Sequence, residues 1–221
     1  MRGCLRSCGA ARLATAGLLV ATLVTGCGRG GADATSTAAR QGDPLAERFA
    51  VFARARTERD TIPNSLLPRS IAVRLGLDPE TARRARLYKG SPVYLASSPR
   101  LTCTFSRRNE VGNCWPNPTV LRGLAAAASI CGLGNESNQV VVYGLLPDGA
   151  ERVTVPSPGR PASTVPVIGN VFIATVSSEP PLPQRFSFLR DGRRFNRPTG
   201  IPPEVALEGC GGGRPNPRSA G

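Results

Sequence analysis

The sequence predicts an α+β fold: a mostly antiparallel β-meander sheet with two or three short helices, disulfide-stapled. Three observations carry this expectation. Short apolar runs recur between residues 93 and 197, and strong turn pairs separate them: Asp148-Gly149, Gly169-Asn170 and Asp191-Gly192. Helix-start signals, an Asp or Asn followed by Pro, stand at Asp43-Pro44, Asp78-Pro79 and Asn117-Pro118. Cys103, Cys114, Cys131 and Cys210 lie within or at the end of the same stretch. Apolar residues make up 40% of the 221 and aromatics only 5%, so a core must rest on Val, Leu, Ile and Ala. Gly 25 and Pro 21 supply many turns without reaching a disordered composition.

In chain order, Pro44–Arg56 reads as a helix, with Asp43 as its cap, Pro44 at its first position and Leu45, Phe49 and Phe52 near one face. Thr61–Leu67 reads as loop. Asp78-Pro79 opens a short Arg-rich helix, Glu80–Lys89, which ends at Gly90. Val93–Ala96 is a first strand, and Leu101–Ser106 with Val111–Trp115 forms a hairpin around Arg107–Glu110. Asn117-Pro118 opens a third helix over Thr119–Ala128, whose apolar positions are Val120, Leu121 and Leu124. The remainder reads as meander. Gln139–Leu146 is a strand, Pro147-Asp148-Gly149 a turn and Glu151–Val155 an alternating strand. Thr164–Ile168 and Val171–Val176 flank Gly169-Asn170, which suits a type II′ turn. Arg185–Arg190 and Arg193–Arg197 flank Asp191-Gly192, a pairing that sets Phe188 opposite Phe195.

Four cysteines in one domain allow three pairings. The sequence favours one. With paired residue numbers summing to 217, Cys103 faces Cys114, Phe105 faces Gly112 and Arg107 faces Glu110, so a disulfide, an aromatic over a glycine and an opposite-charge pair come together. Cys131 then joins Cys210. Another pairing, or two free buried thiols, remains open. No C-x-x-C is present, which leaves zinc-ribbon and thioredoxin-type readings without support.

A resemblance follows from particular runs. Val141-Val142-Tyr143-Gly144-Leu145-Leu146-Pro147-Asp148-Gly149, Val153-Thr154-Val155 and Val165-Pro166-Val167-Ile168-Gly169-Asn170-Val171-Phe172 resemble a recurrent module in exported proteins of high-GC actinobacteria. Such proteins often carry a cysteine pair like Cys103/Cys114 and a front segment like Phe49-Ala50-Val51-Phe52. The resemblance covers about Phe49–Gly192. It implies the fold and an exported habitat and brings no activity with it. Cys131 and Cys210 do not map onto its pattern.

The N-terminus has the three parts of an export signal: a basic segment, Met1–Arg12; an uncharged, largely apolar run, Leu13–Thr25; and Val24-Thr25-Gly26-Cys27. As a helix the apolar run would be roughly 20 Å long, short of the ~30 Å hydrocarbon core. The tetrapeptide resembles the bacterial lipobox. That resemblance implies a diacylglyceryl group on the Cys27 thiol and cleavage just before it. The organisation is then a lipoprotein signal peptide at 1–26, a lipidated cysteine and flexible tether at 27–43, a single domain at 44–210 and a disordered tail at 211–221. The location is extracytoplasmic, anchored to the cell membrane through lipid.

The formal charge of +13 falls to +10 once the leader removes Arg2, Arg6 and Arg12. Lys89 is the single lysine among 28 basic residues, as a GC-rich genome would produce by loading arginine onto any solvated surface. Against that reading stand two clusters. Arg83, Arg84, Arg86 and Lys89 dominate the first, Arg190, Arg193 and Arg194 the second, and together they are the candidate contacts for anionic lipid or wall polymer. Nucleic acid is not an expected partner, because export removes the chain from it.

Histidine is absent, which excludes Ser-His-Asp and Cys-His catalysis and His-ligated metals. Asp148 and Glu151 sit near a turn that already explains Asp148, and Lys89-Gly90-Ser91 lacks the S-x-x-K spacing of Ser–Lys acylases. Gly132-Leu133-Gly134 lacks the third glycine of a dinucleotide fingerprint. No catalytic residue, metal or cofactor is expected beyond the lipid on Cys27. The expectation is a non-catalytic envelope lipoprotein that binds a protein or anionic polymer outside the membrane. An anchored hydrolase or transferase using carboxylates or a lone Ser/Lys, and an envelope-state sensor, are the alternatives. Peptide mapping without reduction should recover Cys103 joined to Cys114; a Cys103–Cys131 peptide would overturn the pairing.

Overall fold

The computed structural model describes residues 42–107, 111–129 and 139–208. Within them the fold is α+β and mostly antiparallel. Helices α1 (Pro44–Arg48) and α2 (Ala50–Ala53) lead, followed by a 3₁₀ turn at Glu58–Asp60 and α3 (Arg69–Leu75). Strands β1 (Arg83–Tyr88), β2 (Ser91–Ser97), β3 (Leu101–Ser106) and β4 (Asn113–Pro116) form a first sheet in sequence order. Helix α4 (Asn117–Leu121) precedes β5 (Ala125–Ser129), β6 (Gln139–Leu145), β7 (Ala150–Ser157), β8 (Arg160–Pro166), β9 (Val171–Ser177), β10 (Arg185–Arg190), β11 (Arg193–Pro198) and α5 (Pro203–Glu208). The second sheet is ordered β5-β6-β9 and the third β11-β10-β7-β8. Only the first sheet is a simple meander. After β6 the chain leaves for the third sheet, returns as β9, and leaves again.

The second sheet is covered on both sides. From β6, Val141, Tyr143 and Leu145 pack with Val93 and Leu95 of the first sheet and with Leu45, Phe49 and Val51. Val140, Val142 and the following Leu146 pack the other way, with Val153 and Val155 of β7 and Phe186 and Phe188 of β10. This is why the β6 run is continuously apolar rather than alternating: both of its faces are interior. A third cluster, Ile62, Leu67, Ala72 and Leu77, covers the far face of the first sheet against Tyr94, Ala96 and Cys103.

Several elements differ from the sequence expectation, each for a visible reason. Pro44–Arg56 is not one helix. It breaks at Phe49, which is extended (φ −135°, ψ 102°) and fully buried, while Asp43 caps the first piece through Leu45 N at 2.9 Å. Glu80–Lys89 is not a helix either. Asp78 does cap Glu80 N, but only a 3₁₀ turn follows, and Arg83–Tyr88 pairs with β2 as a strand. The third helix stops at Leu121. Gly123 takes a left-handed φ of 66° while Gly123 N–H and Leu124 N–H close back on Val120 O and Thr119 O. The alanines beyond it pair with β6 as β5, so tertiary pairing overrides their helix propensity. Asn117 is inside α4 rather than its cap, and its side chain bonds Thr102 Oγ1 and Ser98 O.

The Cys103–Cys114 disulfide is formed, in the expected register. That ladder ends at Thr104↔Asn113, so Phe105 does not cover Gly112, and the Arg107–Glu110 pair extends outside the described residues. Phe188 does face Phe195, with rings stacked at 5.2 Å. Gly169 and Asn170 both have positive φ (54° and 64°), the type I′ pattern rather than II′. The flanking strands share only the Ile168↔Val171 bridge before diverging into different sheets. Trp115 is core, donating from Nε1 to Ala126 O and meeting Tyr143 edge-on at 6.2 Å.

Gly169 lies so close to β1 that a Cβ would collide with Ala85 O. With its positive φ, Gly169→Ala should therefore cost at least ~2 kcal/mol. Urea denaturation should show a lower midpoint at unchanged slope; an unchanged midpoint would show that the turn can move away from β1.

Candidate functional site

The front segment, β1 and the Gly169-Asn170 turn meet around two polar nodes. The first is Asp148. Its Oδ1 accepts from Ala50 N at 2.9 Å, capping the start of α2 from a turn 98 residues away, and from Asn170 Nδ2 at 2.8 Å. Asn170 Oδ1 accepts from Val51 N at 3.0 Å, and its Nδ2 also donates to Leu146 O at 3.1 Å. The runs that carry the resemblance noted above are thus brought together: Phe49–Phe52, Pro147–Gly149 and Gly169-Asn170.

The second node is Asp60, whose side chain is fully buried. Arg54 grips it with both terminal nitrogens, at 2.7 and 2.5 Å. Thr57 N (2.7 Å), Thr57 Oγ1 (2.9 Å) and Arg84 N (2.7 Å) also donate to it. Burial alone would raise the Asp60 pKa. The Arg54 guanidinium and the Arg84 and Thr57 donors outweigh it and hold the carboxyl well below its ordinary range. Its hydrogen bond to Asp60 likewise raises Arg54. This node ties the 3₁₀ turn to the β1 edge, and its sequence signal is Thr57-x-x-Asp60, a capping-box pattern that the sequence reading did not single out.

The arginines of β1 divide by direction. Arg83 is buried and donates to Glu80 O, Ala82 O and Arg54 O, so its role here is internal. Burial pulls its pKa down. Arg86 is half-buried and reaches across to Val171 O (3.3 Å) and Pro166 O (3.4 Å), fastening the Gly169 turn to β1. Burial lowers its pKa too, against the smaller opposing effect of Tyr88. Among the described residues, no hydrogen bond or ion pair engages the guanidinium of Arg84 or of Arg59. Lys89 is exposed at the β1–β2 turn, 5.5 Å over the Tyr88 ring.

Two adjoining clefts, each of about 440 Å³, open around these groups. Arg54, Arg59, Arg84, Arg86 and Leu87 line one, with saturated Asp60 at its base. Arg54 and Arg84 also line the other, with Ala50, Asp148, Gly149 and Asn170. Arg190 approaches that second cleft at Gly149, where an added Cβ would lie 3.4 Å from Arg190 Cγ. Arg190 itself pairs with Asp191 at 3.5 Å, and Arg193 and Arg194 are exposed beyond it. Arg84 lines that second cleft and Arg190 lies beside its Gly149, while Arg83 turns inward. Cys27, Cys131 and Cys210 lie outside the described residues.

Among the described residues, no group of three His, Cys, Asp or Glu side chains could hold a metal ion. None of their helices is long and apolar enough to cross a membrane. Comparison with protein-family models, curated proteins and solved structures finds no match.

Asp60 makes stability depend on pH with a definite sign. Its folded pKa lies below the unfolded value of about 3.9, so its stabilisation is complete above that value and is lost as pH falls through it toward the folded one. Asp60→Asn should cost about 2–4 kcal/mol near neutral pH, because the amide offers one acceptor where two oxygens took five donors. Acid titration of both proteins checks this: the loss of stability below pH ~4 should be shallower in the variant.

Proposed function

We propose that this chain is a non-catalytic, lipid-anchored envelope protein whose domain binds an anionic surface or an envelope partner outside the cytoplasmic membrane. The carrying observation is the N-terminal pattern: a basic segment, a 13-residue apolar run and Val24-Thr25-Gly26-Cys27. The Cys103–Cys114 disulfide supports the reading, since such bonds persist in oxidising compartments. The chemistry of the described acids also supports a binding role. Asp43, Asp78 and Asp148 cap backbone N–H groups, and Asp60 is enclosed by its own donors, so structural roles account for these four. Arg59 and Arg84, by contrast, face a cleft with unengaged positive charge.

Two acyl chains on one cysteine hold a protein at a bilayer durably, at ~0.8 kcal/mol per buried CH₂. Cys27→Ala should therefore leave an uncleaved precursor that takes up no labelled fatty acid. Normal processing and labelling of that variant would remove the anchor from the account.

A further inference from the structure

Resting on the lipid-anchored reading, we propose that the cleft beside β1 is a second membrane contact, in which Leu87 and Ile168 enter the interface of an anionic bilayer while Arg59 and Arg84 meet lipid phosphates. Four observations converge on it. Leu87, at the rim of the basic cleft, is 50% exposed, and Ile168, on the turn fastened to β1, is 46% exposed. Single exposed apolar residues need no explanation, but these two belong to segments locked together by Arg86 and by the close approach of Gly169 to Ala85. The charge beside Leu87 is uncompensated. Asp60 is the one carboxylate lining this cleft, and its oxygens are saturated; Glu58, exposed on the same 3₁₀ turn, does not line it. Arg54 is held by Asp60 and Arg86 by backbone carbonyls, which leaves Arg59 and Arg84 to bind anions.

A bilayer suits this combination better than a wall polymer does. Phosphate groups in either would attract the arginines, but only a bilayer rewards Leu87 and Ile168, by burying their side chains ~5–10 Å into the headgroup–acyl boundary. The anchor keeps the encounter local. Cys27 and Pro44 are separated by 16 residues in sequence. The cleft is approached 10 residues further on, at Arg54.

The test uses the full, lipidated chain carrying Leu87→Trp, reconstituted into vesicles of equal parts phosphatidylglycerol and phosphatidylcholine with brominated acyl chains. The natural Trp115 is 6% exposed in the core and contributes little background. The introduced indole should be quenched in these vesicles and released from quenching by high salt or in phosphatidylcholine alone. Arg59→Ser and Arg84→Ser should each lower the ratio of quenched to unquenched protein about fivefold. Ile168→Trp, read the same way, serves if the first variant fails to fold. A chain that floats with the vesicles but leaves both indoles unquenched overturns the second contact and leaves the anchor standing. A chain that does not float overturns the anchor and this proposal with it. Salt-sensitive sedimentation with isolated cell walls, without quenching on vesicles, assigns the arginines to a polymer and also overturns it.

Discussion

Burial of the β5-β6-β9 sheet on both faces is the constraint on which the rest of the fold depends. Alternate side chains of β6 enter two separate cores, one shared with the first sheet and the front helices, the other with the third sheet. A strand in that position carries no charge, and at one point no side chain at all. Gly144 is the extreme case: a Cβ there would collide with Ala125 O and meet Phe172 at 2.8 Å. The small alanines of β5 fit the same close approach. Because both layers register on this sheet, the chain must leave it at Pro147-Asp148-Gly149 and re-enter at Gly169-Asn170, and both turns become structural nodes rather than free loops.

Those nodes explain how a short N-terminal segment becomes part of the core. Neither α1 nor α2 exceeds a turn and a half, too short to be stable alone. Asp148 and Asn170 supply the hydrogen bonds that α2 lacks at its start, and the extended Phe49 between the helices drives its ring into the first core. Asp60 repeats the device at the next turn, exchanging two exposed ends for a buried, five-donor carboxylate. The arginines left over after this internal pairing are the ones that face the cleft, so the candidate surface is a by-product of how the front segment is fastened.

Much of the candidate site was invisible in the sequence for this reason. Arg83, Arg84 and Arg86 look equivalent in a run, yet one is buried on carbonyls, one faces a cleft and one clamps a turn, because a strand sends alternate residues to opposite faces and a bulge between Arg84 and Arg86 shifts that alternation. Read as a helix, the same run would have presented a single basic face. Nothing local marks out Arg54, because its importance comes from Asp60, whose partners lie up to 24 residues away.

What the sequence determined by itself is local. It specified the class of fold, the Cys103–Cys114 bond, the Asp191-Gly192 hairpin with Phe188 facing Phe195, and the caps at Asp43 and Asp78, because each depends on residues within about a dozen positions of one another. Tertiary structure decided the lengths of helices, the strand identity of Arg83–Tyr88 and Ala125–Ser129, and the division of strands among three sheets. The β5 strand and the start of α2 turn on distant partners, β6 and Asp148, while β1 is set by its hairpin with β2. Local preferences of a few tenths of a kcal/mol per residue yield to such pairings once burial and a satisfied backbone are at stake.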